Sequence, residues 1–214
     1  MKLLLTAFDP FGGEKVNPAL EAVKRVPDRV GGVEVIKLEV PTVFGEAISV
    51  LKAGLEKHQP DAVLCIGQAG GRFELTPERV AINLDDARIP DNKGNQPIDQ
   101  PIEPEGAPAY FTTLPIKAMV EAMRDAGLPA AVSNTAGTFV CNHLMYGLLH
   151  ALNTQYPQAR GGFMHVPFIP EQTARRAVPA PSLSTADIAL GIEVAITAIQ
   201  NNQEDITAIG GKEH

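Results

Sequence analysis

The sequence predicts one α/β domain with a mostly parallel central sheet. Its 214 residues, of which 44% are hydrophobic, can bury one sizeable core. Apolar runs of strand length alternate with segments of helical periodicity, as in chains whose strands are joined by helices. One of these runs, residues 62–67, is apolar throughout, which is typical of a strand covered on both faces.

Local signals place the elements in order. Asn17 is expected to cap a helix that Pro18 begins, and Gly127 is expected to follow the end of a later helix. Residues 184–187 resemble a capping box, with Asp187 in the place usually taken by Glu. The predicted strands are residues 3–7, 33–40, 62–67, 79–84, 130–133 and 162–168, and the predicted helices are residues 18–26, 46–57, 116–126, a helix from near residue 141 to residue 151, and a helix after residue 184.

Two segments depart from this alternation. Residues 85–113 hold five prolines among many polar residues, and a loop this long is usually a lid, an interface arm or disordered. We expect it to be ordered, as a rim over the site or an arm against another subunit, because prolines lower the entropic cost of ordering. The tail is polar, so residues 1–200 form the predicted domain and residues 201–214 a flexible tail.

Charge and cysteine content limit the possible partners and compartment. The net charge of −7 and the lack of a basic stretch argue against binding to nucleic acid or to an anionic membrane. The first apolar run ends at Asp9-Pro10, so it is shorter than a secretory signal and far below the ~20 residues that span a bilayer. Cys65 and Cys141 are expected to be free thiols in a cytoplasmic protein.

Cys141 is the candidate nucleophile. It lies where an apolar, strand-like run gives way to a helical pattern, and a helix N-terminus favours a thiolate through its unpaired N–H groups and dipole. The alternative is a buried structural cysteine, the commoner role for this residue type. Sequence motifs for phosphate, dinucleotide, zinc-protease and serine-hydrolase sites are absent, so a thiol hydrolase without a metal is the chemistry that remains.

A thiol nucleophile needs a base, and the chain has five histidines. His143 is two residues from Cys141 on one helix and therefore points to a different face. His150 lies about 13 Å further along that helix. His165 lies near the C-terminal end of a predicted strand, where parallel sheets place their sites, and is the candidate base. The alternative for His165 is a hydrogen-bonded core histidine. Of the two remaining histidines, His58 lies at an exposed helix end and His214 is the last residue.

Glu78 is the candidate for the group that orients the imidazole. It begins an apolar, strand-like run just after a glycine-rich loop, which also places it near a strand edge. A solvated carboxylate paired with Arg79 is the alternative, and spacing alone favours that interpretation.

At these residues the chain resembles the pyroglutamyl peptidase I family, also called pyrrolidone-carboxylate peptidases. These cysteine peptidases remove N-terminal pyroglutamate from peptides. The resemblance extends from residue 1 to about residue 200 and rests on several separated blocks in the same order. They are residues 6–13 with 16–18, 67–72, 77–83, 86–91, 137–144 and 165–167.

The resemblance implies a fold and a set of site residues. It implies a single-domain, three-layer α/β/α sandwich with a mixed, mostly parallel sheet, no cofactor and a homotetramer. The family's triad falls on Cys141, His165 and Glu78, and its oxyanion arginine falls on Arg88, beside the Cys141 N–H. The implied pocket for the pyroglutamyl ring consists of Phe8, Phe11, Phe139 and Val140, with Asn17 and Gln68 as polar contacts.

Two other functions stay open at this point. A nucleoside phosphorylase is one, since the resemblance points to an architecture shared with that group, although no phosphate site is recognisable. A protein that binds pyroglutamyl peptides without cleaving them is the other, and the presence of all three triad residues argues against it.

Overall fold

The computed structural model describes residues 1–211, in which the sheet strands and helices alternate along most of the chain. His214, one of the histidines considered above, lies outside the described residues. The strands are β1 (Lys2–Phe8), β2 (Arg29–Val30), β3 (Val33–Val40), β4 (Ala62–Gln68), β5 (Thr76–Pro77), β6 (Val80–Ile82), β7 (Ala109–Phe111) and β8 (Arg160–Val166). The helices are α1 (Pro18–Arg25), α2 (Glu46–His58), α3 (Ile116–Asp125), α4 (Val140–Thr154), α5 (Pro170–Thr173) and α6 (Thr185–Asn201).

Six strands form the central sheet in the order β2-β3-β1-β4-β8-β5. The four inner strands run parallel, and the short edge strands β2 and β5 are antiparallel to their neighbours. The predicted mixed, mostly parallel sheet is therefore confirmed. Parallel pairing of β4 with β8 matters most for the site, because it sets Gly67 beside His165.

Helices cover both faces of this sheet. Alternate residues of β1 belong to different cores: Leu3 and Leu5 pack with α1, α3 and α6, whereas Leu4 packs with α2 and α4. This alternation follows from the two-residue period of a strand. The three-layer α/β/α arrangement predicted from the family resemblance is present. Within residues 1–211, no helix combines the length and apolar character needed to cross a membrane.

The predicted helix ends are also observed. The Asn17 Oδ1 accepts a hydrogen bond from the Ala19 N–H at 3.0 Å, and the Ser184 Oγ accepts one from the Asp187 N–H at 3.0 Å. Gly127 follows α3 with a φ of 79°, in the left-handed region that a glycine adopts without strain.

The predicted strand over residues 130–133 is wrong. The segment forms only isolated bridges, from Ala130 to Leu75 and from Ser133 to Glu78. Pro77 lies between these two partners and has no N–H to donate, which interrupts the ladder. The segment therefore runs beside the residues that lead to Glu78 without becoming a strand.

The predicted strand over residues 79–84 is shorter than expected and lies outside the central sheet. Only β6 is extended there, and it pairs with β7 in a separate two-stranded ribbon. Residues 83–108 connect the two strands of this ribbon, so most of the proline-rich segment 85–113 is this connection and its end includes β7. Within that connection Asp85 and Gln100 exchange backbone hydrogen bonds at 2.7 and 3.0 Å, so the segment is folded back on itself as an ordered loop.

The chain after α6 contacts the domain rather than leaving it. Arg160 donates to the Asn202 carbonyl at 2.7 Å, and the Asp205 carboxylate accepts the Lys117 and Ala118 N–H groups at the start of α3. A carboxylate at a helix N-terminus is favourable because it pairs with free N–H groups and the helix dipole. These contacts place Asn202 and Asp205 against the domain, and the flexible tail over residues 201–214 stays a prediction.

Candidate active site

The site lies at the carboxyl ends of β4 and β8, beneath the N-terminus of α4. Cys141 is the second residue of α4, and a β-carbon at Gly67 would lie 3.1 Å from its sulfur. Gly67 pairs with His165 across the parallel strands. The absence of a side chain at Gly67 therefore leaves room for the thiol at the strand end that carries His165.

His165 is bonded to Glu78 inside the protein. The His165 Nδ1 lies 2.7 Å from the Glu78 Oε1, and the two residues are 4% and 0% exposed. Burial would raise the pKa of the Glu78 carboxyl, but its bonds and charge interactions with His165, Ser133 and Arg72 hold that pKa below its usual value. An ionised carboxylate only accepts hydrogen bonds, so the proton lies on Nδ1 and Nε2 is left as the basic nitrogen.

The Cys141 thiol is partly exposed, yet its surroundings favour the protonated form. Burial raises the pKa of this thiol to about 12, the Glu78 charge adds to the rise, and the Arg72 charge opposes it. This raised pKa opposes the thiolate that the helix N-terminus predicts. The thiol needs a base to take its proton during the reaction.

Cys65 has a different environment. It lies in the interior of β4 with no exposed surface, and burial raises the pKa of its thiol to about 12. Both cysteines are free, as predicted. Cys141, by contrast, is half-buried and lies at the start of α4.

Aromatic side chains pack against Phe139, two residues before Cys141. The ring centroids of Phe11 and Phe139 are 6.2 Å apart, and Phe44 meets Phe139 edge-on at 5.4 Å. Phe8 is almost fully buried and packs on Phe163, which in turn contacts the His165 ring at a centroid distance of 4.8 Å. Phe11 and Phe139 are thus half-buried neighbours, whereas Phe8 is buried and contacts His165 only through Phe163.

The remaining pocket residues predicted from the sequence lie at the same end of the sheet. Val140 is fully buried at the start of α4, next to the nucleophile. The Gln68 amide, at the end of β4, accepts a hydrogen bond from Gln172 at 3.1 Å. The Asn17 amide caps α1 and also donates to the Asp9 carbonyl at 3.0 Å, so it holds the loop that carries Phe11.

Arg88 does not take part in the substrate-free arrangement. Its side chain is exposed and makes no hydrogen bond or ion pair with any residue in the described range 1–211. The oxyanion role carried over from the family stays a prediction for this residue.

Comparisons with known proteins agree with this geometry. The sequence profile of the family "Pyroglutamyl peptidase" matches residues 1–202. The chain belongs to the pyroglutamyl peptidase family. Pyrrolidone-carboxylate peptidases of Streptococcus suis and Clostridium perfringens are 59% and 58% identical to it over 100% and 99% of both chains.

Solved structures of the pyroglutamyl peptidase family share the fold. The crystal structure of pyroglutamyl peptidase I from Bacillus amyloliquefaciens is 53% identical, with a TM-score of 0.93 over 96% of this chain and 99% of that one. A mutant pyrrolidone carboxyl peptidase from Pyrococcus furiosus is 41% identical, with a TM-score of 0.91 over 94% and 99% of the two chains.

Sequence reasoning missed two residues of this pyroglutamyl peptidase family site. Phe44 precedes α2 and has no motif around it, so only the fold shows its contact with Phe139. Arg72 ends the glycine-rich loop after β4 and bonds to Glu78, which the sequence pattern paired with Arg79 instead. The Arg79 side chain instead donates a hydrogen bond to the Asn134 Oδ1. The family resemblance includes the loop that contains Arg72, but it implies no role for this arginine.

His143 points away from the thiol, as its position on α4 predicted. Its Nδ1 lies 2.8 Å from the Asp85 carboxylate, and its Nε2 accepts the Gly45 N–H at 2.8 Å. Both ring nitrogens are therefore used, Nε2 to join α4 to the loop before α2 and Nδ1 to join it to the loop after β6. His143 uses both ring nitrogens in hydrogen bonds, whereas His165 uses only Nδ1. His165 is therefore the one of the two whose Nε2 can act as a base.

We predict that iodoacetamide modifies Cys141 and not Cys65 in the native protein. Cys141 is half-buried at the start of α4, whereas Cys65 has no exposed surface. Peptide mass mapping after partial labelling checks this. Urea-denatured protein, in which both thiols react, is the control, and preferential labelling of Cys65 in the native protein would contradict the prediction.

Proposed function

We propose that this chain hydrolyses the peptide bond after an N-terminal pyroglutamyl residue, with Cys141 as nucleophile, His165 as general base and acid, and Glu78 as the group that orients His165. The observation that carries the proposal is the buried 2.7 Å bond from His165 to Glu78 at the strand end that Cys141 overlies. Membership of the pyroglutamyl peptidase family, a family of cysteine omega-peptidases, supports it.

The reaction begins with proton transfer from the Cys141 sulfur to the His165 Nε2. The sulfur then attacks the carbonyl carbon that follows the pyroglutamyl ring, and the carbonyl oxygen takes the negative charge. As the C–N bond breaks, the His165 imidazolium gives its proton to the leaving amine. The product of this half-reaction is a thioester between Cys141 and the pyroglutamyl group.

Water completes the cycle. The neutral His165 takes a proton from a water molecule, whose oxygen attacks the thioester carbonyl. The C–S bond breaks, the sulfur recovers a proton from the imidazolium, and free pyroglutamate leaves. Glu78 stabilises the imidazolium in both half-reactions, because its carboxylate stays ionised beside Nδ1.

The N-terminus of α4 is the first source of oxyanion stabilisation. The first N–H groups of a helix lack partners within the helix, and that of Cys141 lies next to the reacting sulfur. Arg88 is the second proposed donor, by resemblance to the family. Because its side chain is exposed, it would have to turn toward the site when substrate binds.

The pocket suits a small, flat and uncharged ring. The aromatic walls formed by Phe11 and Phe139 match the faces of the pyroglutamyl lactam, while Phe8 and Val140 close the apolar side. The lactam edge carries one N–H and one C=O, which need polar partners. The proposed partners are the Gln68 and Asn17 side-chain amides, and the reaction needs no metal or cofactor.

Two further assignments follow from resemblance to the family: pyroglutamyl peptides are the proposed substrates and a homotetramer is the proposed assembly. The cytoplasm is the proposed location, from the short first apolar run and the free cysteines. The family match selects a peptidase over a nucleoside phosphorylase. A protein that binds pyroglutamyl peptides without cleaving them is distinguished by its lack of activity in the assay below.

Replacing the nucleophile tests the proposed function. Cys141→Ala should lower kcat for release of aminomethylcoumarin from pyroglutamyl-aminomethylcoumarin by more than about a thousandfold, because the thioester cannot form. Cys65→Ser is the matched control, since it changes the other thiol and should keep a kcat close to the wild-type value. Substantial turnover by Cys141→Ala, or its absence in the wild type, would contradict the proposal.

Specificity tests the polar half of the pocket. An N-terminal prolyl residue keeps the ring but lacks the lactam carbonyl and carries a charged nitrogen, and a glutaminyl residue opens the ring and adds a charged amine. Both leave buried polar groups unmatched, so we expect kcat/KM at least about a thousandfold below the pyroglutamyl value. Matched prolyl, glutaminyl and pyroglutamyl aminomethylcoumarin substrates measure this. A prolyl value within tenfold would show that the pocket recognises ring shape alone.

A further inference from the structure

Arg72 contacts the far side of the Glu78–His165 pair. Its Nη1 donates to the Glu78 Oε1 at 2.7 Å, the same oxygen that lies 2.7 Å from the His165 Nδ1. Within residues 1–211, Arg72 is the one lysine or arginine that forms an ion pair with Glu78. One carboxylate oxygen is thus held from two sides, by the imidazole and by a guanidinium.

The guanidinium is itself held in place. Besides Glu78, the Arg72 Nη1 donates to the Thr76 Oγ1 at 2.7 Å, and the Nη2 donates to the Thr135 carbonyl at 3.1 Å. A planar guanidinium with three such bonds has a defined orientation, which a flexible ammonium group would lack. Its position relative to Glu78 is therefore set by the loop after β4 and by the turn before α4.

Glu78 needs such a partner because its carboxylate has no exposure to water. A buried charge is costly unless an opposite charge and hydrogen bonds compensate for it. A neutral His165 supplies a hydrogen bond but no full charge before the reaction starts. Arg72 supplies a permanent positive charge in every step.

We propose that Arg72 is a positioning residue for the reaction, which acts by holding the Glu78 carboxylate in the place and charge state from which it orients His165. The inference rests on the proposed function, since it requires His165 to be the base and Glu78 its partner. Arg72 touches neither the Cys141 sulfur nor His165 through any bond in the described part of the chain.

Arg72 also affects the Cys141 thiol through its charge. The Glu78 charge raises the pKa of the Cys141 thiol, and the Arg72 charge lowers it. Without Arg72, the negative carboxylate would act on the sulfur with less compensation, and forming the thiolate would become harder. Loss of Arg72 should therefore slow attack as well as misplace the base.

Replacing the arginine with an uncharged side chain of similar length tests the inference. Arg72→Met should lower kcat for pyroglutamyl-aminomethylcoumarin roughly 10- to 100-fold, the size of effect expected when a catalytic group is displaced. KM should stay within about twofold, because Arg72 does not contact the proposed ring pocket. Arg72→Lys should have a kcat between those of Arg72→Met and the wild type. The lysine ammonium restores the positive charge but not the planar set of donors of the guanidinium.

A double-mutant cycle with Glu78 separates positioning from a general structural role. If Arg72 acts through the carboxylate, Arg72→Met should cause little further loss of kcat in a Glu78→Gln background. Arg79→Met is the matched control: this neighbouring arginine bonds to Asn134 and Gly210 and not to Glu78, so kcat should stay near the wild-type value. A structural role would instead lower kcat by the same factor in both backgrounds.

Two results would overturn the inference: an unchanged kcat in Arg72→Met, or equal losses in the wild-type and Glu78→Gln backgrounds. Thermal unfolding checks that each variant is folded. If Arg72→Met does not fold, Thr76→Val, which removes one anchor of the guanidinium, should still lower kcat without raising KM, and an unchanged kcat there would also overturn it. Full activity of Cys141→Ala would instead refute the proposed function, whatever Arg72→Met does.

Discussion

The hydrogen bond between the buried Glu78 carboxylate and the His165 imidazole is the interaction on which the site depends. Because the carboxylate stays ionised, it fixes the proton on the His165 Nδ1 and leaves Nε2 basic. Burial strengthens this bond. It also makes the ionised Glu78 carboxylate costly, because a buried charge without a partner favours protonation or a move toward solvent. The Arg72 guanidinium bonded to the same oxygen is the compensation that the fold provides.

The sheet determines where this pair meets the nucleophile. Parallel pairing of β4 and β8 puts Gly67 beside His165, and a glycine there lets α4 bring the Cys141 sulfur close to the strand end. Burial raises the pKa of the Cys141 thiol. In the proposed reaction, the thiol is therefore activated by proton transfer to His165 and not by a low pKa of its own.

Much of the fold could be predicted from local signals, and most of the candidate site could not. Alternating apolar runs predicted the sheet, and Asn17, Gly127 and Ser184 marked helix ends because capping depends on neighbours in sequence. Glu78 was different: spacing alone paired it with Arg79, and only family resemblance placed it beside His165. The contacts of Arg72 and Phe44 join distant segments, so no local pattern shows them. Residues 130–133 have the apolar character of a strand. They do not form one, because the segment beside them contains Pro77, which cannot donate a backbone hydrogen bond.

In the proposed reaction, Cys141 carries the pyroglutamyl group as a thioester during turnover. Rapid acid quenching of the protein with excess pyroglutamyl substrate, followed by peptide mass mapping, detects such an intermediate. We expect one pyroglutamyl group on the peptide that contains Cys141, removable by hydroxylamine and absent once the substrate is consumed. Turnover with the acyl group on another residue, or with no acyl group when aminomethylcoumarin is released in a burst, would contradict it.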